Sequence, residues 1–133
     1  MEELVGAPAA FNINLDPFAY PGVLRRSWSG VISEAHQLRS EGKGLSTYRL
    51  TLSPRLWLLT RRTNCRIYQQ LSDLDIALLI LKEWGIEAEV STSRPHRTRK
   101  CRVQYQETDH AFFSRLLESA GVTYLFHATD GES

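Results

Sequence analysis

The chain has 133 residues, 42% of them hydrophobic, the size and make-up of one globular domain, or of one and a half small ones, rather than of a disordered tract. Its 16 basic and 15 acidic residues leave a net charge of +1, which excludes a global field for nucleic acid or an anionic membrane. Met1-Glu2-Glu3-Leu4 carries acids where a secretory leader has bases, and no apolar run approaches the roughly 20 residues of a membrane helix.

Residues 1–63 read as strands. Phe11, Ile13 and Leu15 alternate with Asn12 and Asn14, the period of a half-buried strand. Pro17 and Pro21-Gly22 supply turn chemistry. Arg26 to Leu38 is a long, weakly alternating stretch with Trp28, Val31 and Ile32. Glu41-Gly42-Lys43-Gly44 marks a turn, and Tyr48, Leu50 and Leu52 then alternate with polar residues. An antiparallel meander or partial barrel is predicted. Leu56-Trp57-Leu58-Leu59 follows Pro54 and suits either a short helical turn or a buried bend.

Residues 64–133 contain one plan used twice, offset by 36 positions. Asn64-Cys65-Arg66-Ile67 aligns with Lys100-Cys101-Arg102-Val103, Ser72-Asp73 with Thr108-Asp109, and Gly85-Ile86 with Gly121-Val122. Each copy reads as a strand, a helix and a strand. Ser72 and Thr108 are N-caps, because a hydroxyl accepts an orphan N–H of the first turn. Asp73 and Asp109 sit where the helix dipole favours an anion. Gly85 and Gly121 are left-handed stops. Ile86-Ala88-Val90 and Val122-Tyr124-Phe126 then alternate as trailing strands. The predicted class is α+β, an antiparallel meander followed by a βαββαβ-like repeat.

The two helices differ. Phe112, Phe113, Leu116, Leu117 and Ala120 make one apolar face on the second. The first, Asp73 to Trp84, is apolar nearly all round, with only Asp75 and Lys82 as a polar stripe, so it calls for cover on more than one side. The predicted interface is therefore Asp75, Ile76, Leu79, Ile80 and Trp84, joined by Arg94 and Arg97 of the basic linker Ser93 to Lys100.

Catalytic vocabulary is present but lacks context. Glu107, Asp109 and His110 could form an acid–base cluster, yet they fit a capped helix start better. Ser114 and His110 stand one turn apart without an oxyanion donor. Cys65 and Cys101 hold matching inward strand positions. They read as small buried hydrophobes, with a disulfide or a metal site as the alternatives. No glycine-rich phosphate loop or metalloprotease motif occurs, and no catalytic, cofactor or metal residue is assigned. The rival readings are a small stand-alone hydrolase using Glu107, Asp109 and His110, and a nucleic-acid module using Arg94 to Arg102, a stretch without stacking aromatics.

The segment Val103-Gln104-Tyr105-Gln106-Glu107-Thr108-Asp109, with Phe112, Arg115-Leu116-Leu117-Glu118 and Gly121-Val122, resembles the VQYxESDxxFxxRLxExxGI signature of VgrG proteins. These are spike proteins of the bacterial type VI secretion system, akin to phage baseplate hubs. Four more segments resemble the family in the same order: Leu4-Val5-Gly6-Ala7-Pro8, Gly30-Val31-Ile32, Tyr48 to Leu59, and Arg66-Ile67-Tyr68-Gln69 followed by Asp75-Ile76. Thr108 replaces the family's Ser and Gln106 its Arg, and Thr108 still caps. The resemblance implies an internal piece of a longer hub. Residues 1–63 would belong to a tube-like partial barrel and residues 64–133 to the repeat domain. It further implies a homotrimer, docking on a hexameric Hcp-like tube protein, effector or toxin cargo, and no active site, cofactor or nucleic acid in this region. Membrane contact would come only through a needle elsewhere. Assembly would be cytoplasmic, followed by injection.

Overall fold

The computed structural model describes residues 4–13, 26–40, 44 and 46–127. The expectations at Leu15, Pro17, Pro21-Gly22 and Glu41 to Lys43 lie outside these residues. The architecture is α+β, and the chain divides into two compact units, Leu56–Leu125 and the remainder.

The first unit holds three strands, β1 (Pro8–Ile13), β2 (Arg26–Ser40) and β3 (Ser46–Ser53), in an antiparallel meander of order β1-β2-β3. Phe11 lies opposite Trp28 across β1 and β2, with ring centroids 5.9 Å apart. Val31 and Ile32 are buried. Gly30 permits the close approach of β2 and β3, because a Cβ there would collide with the Ser53 carbonyl.

The second unit opens with a 3-10 segment, Arg55–Arg61, whose Leu56 and Leu59 point into the core. Then come β4 (Thr63–Ser72), α1 (Asp73–Glu83), β5 (Thr98–Thr108) and α2 (Asp109–Ala120). β4 and β5 form a two-stranded antiparallel ribbon in which Ile67 lies opposite Val103. These two residues are 36 positions apart, the offset of the repeat, so a local two-fold axis relating its halves passes between them. Gln70 and Gln106, also repeat-related, both take left-handed φ values of 55° and 48° just before the helices begin.

Local signals set the helix ends. Ser72 accepts from the Asp75 N–H, while the Asp75 carboxylate accepts from the Ser72 N–H, a complete capping box. The Thr108 hydroxyl accepts from the Ala111 N–H. At the other end Gly121 turns left-handed at φ 67°, and the Val122 N–H reaches back to the Leu117 carbonyl. Gly85 and Ile86 do the same after α1. The core joins Ile76, Ala77, Ile80 and Leu81 of α1 to Phe112, Phe113, Leu116 and Leu117 of α2. Both sets recur at the three- and four-residue steps that keep side chains on one helix face.

Three expectations are corrected here. Ile76 and Ile80 have no exposed surface at all, because α2 and the 3-10 segment cover them from within the chain. They are core, not interface. Cys65 and Cys101 are exposed free thiols rather than buried ones, since the ribbon shows its Cys, Ile, Val and Tyr row outward. Cys101 stands opposite Gln69, several residues along the ribbon from Cys65. Finally, residues 86–90 and 122–126 belong to none of the five strands among the described residues, although they alternate as strands do.

These burial differences give a direct expectation. Phe112→Ala, which empties a fully buried site, should cost about 3–5 kcal/mol in urea unfolding. Tyr105→Ala, on the outward face, should stay within about 0.5 kcal/mol.

Candidate functional site

The residues with catalytic vocabulary form an electrostatic clasp. Asp109, the first residue of α2, is completely buried. Its carboxylate accepts from Arg62 Nε at 2.7 Å, Asn64 Nδ2 at 3.0 Å, Trp84 Nε1 at 3.0 Å and Gln104 Nε2 at 2.8 Å. Its own N–H donates to the Arg62 carbonyl. The Arg62 guanidinium lies 4.7 Å from the Trp84 ring centroid and bridges onward to Glu83, which also receives Arg66. Burial pushes the Asp109 pKa up, but the hydrogen bonds from Gln104, Asn64, Trp84 and Arg62 outweigh it, so the net shift is downward. A carboxylate held in this way stays ionised and has no proton to donate near neutrality.

Asp73, the repeat-related first residue of α1, is built alike. It receives Arg102 and Arg99 from β5, and its pKa is lowered by the hydrogen bond from Arg102 first, against burial. Each helix start is thus pinned to the other arm of the repeat. Asp73 follows β4 and is held by β5. Asp109 follows β5 and is held by Arg62 and Asn64 on the β4 side.

The other candidates are placed apart from any such cluster. Glu107 pairs with Arg115 on the surface, and His110 and Ser114 are half-buried on α2. One groove is lined by Leu78, Leu81, Lys82 and Gly85 to Ala88 and another by residues that include Leu74, Phe113 and Tyr124; Glu107, Asp109 and His110 line neither. Among the described residues no group of three metal-ligating side chains occurs. Of the proposed interface residues, Asp75, Leu79, Arg94 and Arg97 are exposed. Asp75 is engaged in the capping box, and Trp84 is half-buried with its N–H committed to Asp109. None of the residues that hold the clasp, Arg62, Asn64, Arg99, Arg102 and Gln104, is recognisable from the sequence as an aspartate partner, and Arg99 and Arg102 figure there only in a basic stretch. The available signal was the recurrence of both an aspartate and an arginine at the repeat offset, at positions 73 and 109, 66 and 102.

The clasp directs the polar edge of the ribbon inward. Arg66, Tyr68, Arg102 and Gln104 face the helices, and Tyr68 stacks on Phe112 at 5.8 Å. The opposite face carries Ile67, Val103 and Tyr105 between the two exposed thiols, with Ile67 and Tyr105 each about two-thirds exposed (67% and 69%). In the first unit Phe11, Trp28, Tyr48 and Leu50 are exposed as well.

Because both aspartates titrate below the ordinary value of about 3.9, the unfolded chain binds more protons than the folded one as acid is added. Their stabilisation is whole above about pH 5 and is lost as pH falls through the ordinary aspartate range and on through the lowered values. Urea midpoints measured from pH 7 to pH 3 should fall, and Asp73→Asn with Asp109→Asn should flatten that fall while lowering stability at pH 7. Asp109→Ala alone should cost about 2–4 kcal/mol, since it strands buried donors of Trp84, Gln104 and Asn64.

All 133 residues match the family described as phage tail baseplate hub (GPD). The chain is 35% identical over 127 residues to the type VI secretion system spike protein VgrG1a of Pseudomonas aeruginosa, covering 95% of this chain and 19% of that protein. It is 33% identical over 106 residues to the actin cross-linking toxin VgrG1 of Vibrio cholerae, covering 79% of this chain and 9% of that one. A solved structure of the E. coli c3393 protein aligns with a TM-score of 0.67 at 29% identity, over 87% of this chain and 31% of its own. That protein is described as a component of the type VI secretion system with structural similarity to the T4 bacteriophage tail proteins gp27 and gp5. The chain therefore spans about a fifth of the length of a full spike protein, and it belongs to the phage tail baseplate hub family that includes the VgrG spike proteins.

Proposed function

We propose that this chain is a structural segment of a trimeric spike hub that docks on a hexameric tube protein and helps carry effector or toxin cargo, with assembly in the cytoplasm before injection. The observation that carries this reading is the outward apolar face of the ribbon at Ile67, Val103 and Tyr105. Fully burying one such side chain is worth about 1.5–3 kcal/mol, so a chain that shows three side by side gains by being covered. The exposed apolar residues of the meander support the same role, as do the sheet edges left without a neighbouring strand among the described residues. Residues 1–63 would then serve as the tube-like part and residues 64–133 as the repeat that braces it.

Assigning the hydrolytic role to Asp109 would require a mobile proton and access to substrate. Its carboxylate is sealed from solvent and held by four donors, which favours bracing.

Analytical ultracentrifugation tests the reading. The chain should show concentration-dependent association, and Ile67→Lys with Tyr105→Lys should abolish it without changing the far-ultraviolet circular dichroism. In a full-length spike protein carrying the same two substitutions, recovery of the trimer should drop sharply. A wild-type chain that stays monomeric at every concentration, with a trimer indifferent to both lysines, would remove the proposal.

A further inference from the structure

The basic linker is not absorbed by the apolar faces, and it borders a site of its own. A concavity of about 150 Å³ is lined by Asp73, Pro95, His96, Arg97, Arg99 and Ser119. His96 is half-buried, and its Nε2 is shut off from solvent without a hydrogen-bond partner. Buried polar atoms are rarely left so, and each exception asks for a missing partner. Arg97 is exposed and forms no ion pair among the described residues.

The charge balance of the pocket is positive. Its single carboxylate, Asp73, is already shared between Arg99 and Arg102. Arg99 spends Nε and Nη2 on Asp73 and Ser119, which leaves Nη1 of its fork. An arginine without an ion pair among the described residues, a half-used one and the His96 side chain thus line one small polar hollow. Oxygen anions are the ligands that suit both arginines, through charge-assisted hydrogen bonds.

We propose that this pocket receives a single carboxylate presented by an acidic residue of a partner protein. A protein partner is favoured over a nucleic acid by two features. The linker Ser93 to Lys100 holds no aromatic residue for stacking bases, and the chain's charge of +1 provides no track for a polyanion. The hollow has room for one acidic group rather than a backbone of them. The inference extends the reading of Arg97 as an interface residue but does not need the hub assembly, because it is tested on the chain by itself.

The experiment is an NMR titration of the ¹⁵N-labelled chain with an acetylated triglutamate peptide, and separately with inorganic phosphate, at fixed ionic strength. Saturable shifts centred on His96, Arg97 and Arg99 are expected with the peptide. Arg97→Ala should weaken them about fivefold, the effect of losing roughly 1 kcal/mol. Arg94→Ala, on the same linker but outside the pocket lining, should leave them unchanged. His96→Phe provides a second variant within the pocket. Shifts that never saturate, or that fall equally in Arg94→Ala and Arg97→Ala, would show diffuse attraction and overturn the site. Tighter saturation by phosphate than by the peptide would overturn the carboxylate assignment.

Discussion

Two buried aspartates, each opening one helix of a repeat and each held by the other half, set the organisation of the second unit. A buried carboxylate is tolerable only with its hydrogen-bonding capacity met. Meeting it takes arginines, an amide pair and an indole from three separate stretches of chain: Arg62 with Asn64, Trp84, and the β5 residues Arg99, Arg102 and Gln104. Those groups must turn inward, so the polar row of each strand faces the helices. Because successive strand residues point to opposite sides, the apolar row then has no choice but to face outward. The exposed Ile67, Val103 and Tyr105 follow from the clasp as a geometric consequence.

This arrangement joins stability to assembly. Phe112, Ile76 and Ile80 provide a dry core between the helices and the ribbon's inner side, sufficient to order the unit around Asp73 and Asp109. The apolar row Ile67, Val103 and Tyr105 is left over on the ribbon's other face, where it is suited to being covered. Membership of the baseplate hub family, whose relatives are five times as long or more, agrees with that division of labour.

Much of the local plan was legible in the sequence. The strands at Tyr48 to Leu52 and around Cys101 to Tyr105 alternate visibly, and the helices start at Ser72-Asp73 and Thr108-Asp109 and stop at glycine. Ile67 and Val103, equivalent in the repeat, also face each other across the ribbon, a pairing that the offset alone does not give. The sense of the ribbon was not legible, because alternation reveals a period without telling which face is inside. Assigning the Cys, Val and Tyr row to the interior was the natural choice, and only the demand of two sunken carboxylates reverses it. The cover on Ile76 and Ile80 was hidden for a related reason: a helix pattern shows how much surface needs burying, but not that α2 and Leu59 of the same chain do most of it. Residues 86–90 and 122–126 carry strand periodicity but belong to none of the strands among the described residues, since strand formation depends on neighbours that periodicity does not supply.

The most direct test of the inverted ribbon is the reactivity of its two thiols. Cys65 and Cys101 flank Ile67 and Val103 on the outward face. In the native chain at low concentration, both should react with a charged, water-soluble thiol reagent at rates close to those of the urea-unfolded chain. Strong protection of both in a monomer, relieved only by unfolding, would mean that the apolar row lies inside and that the aspartate clasp does not orient the ribbon.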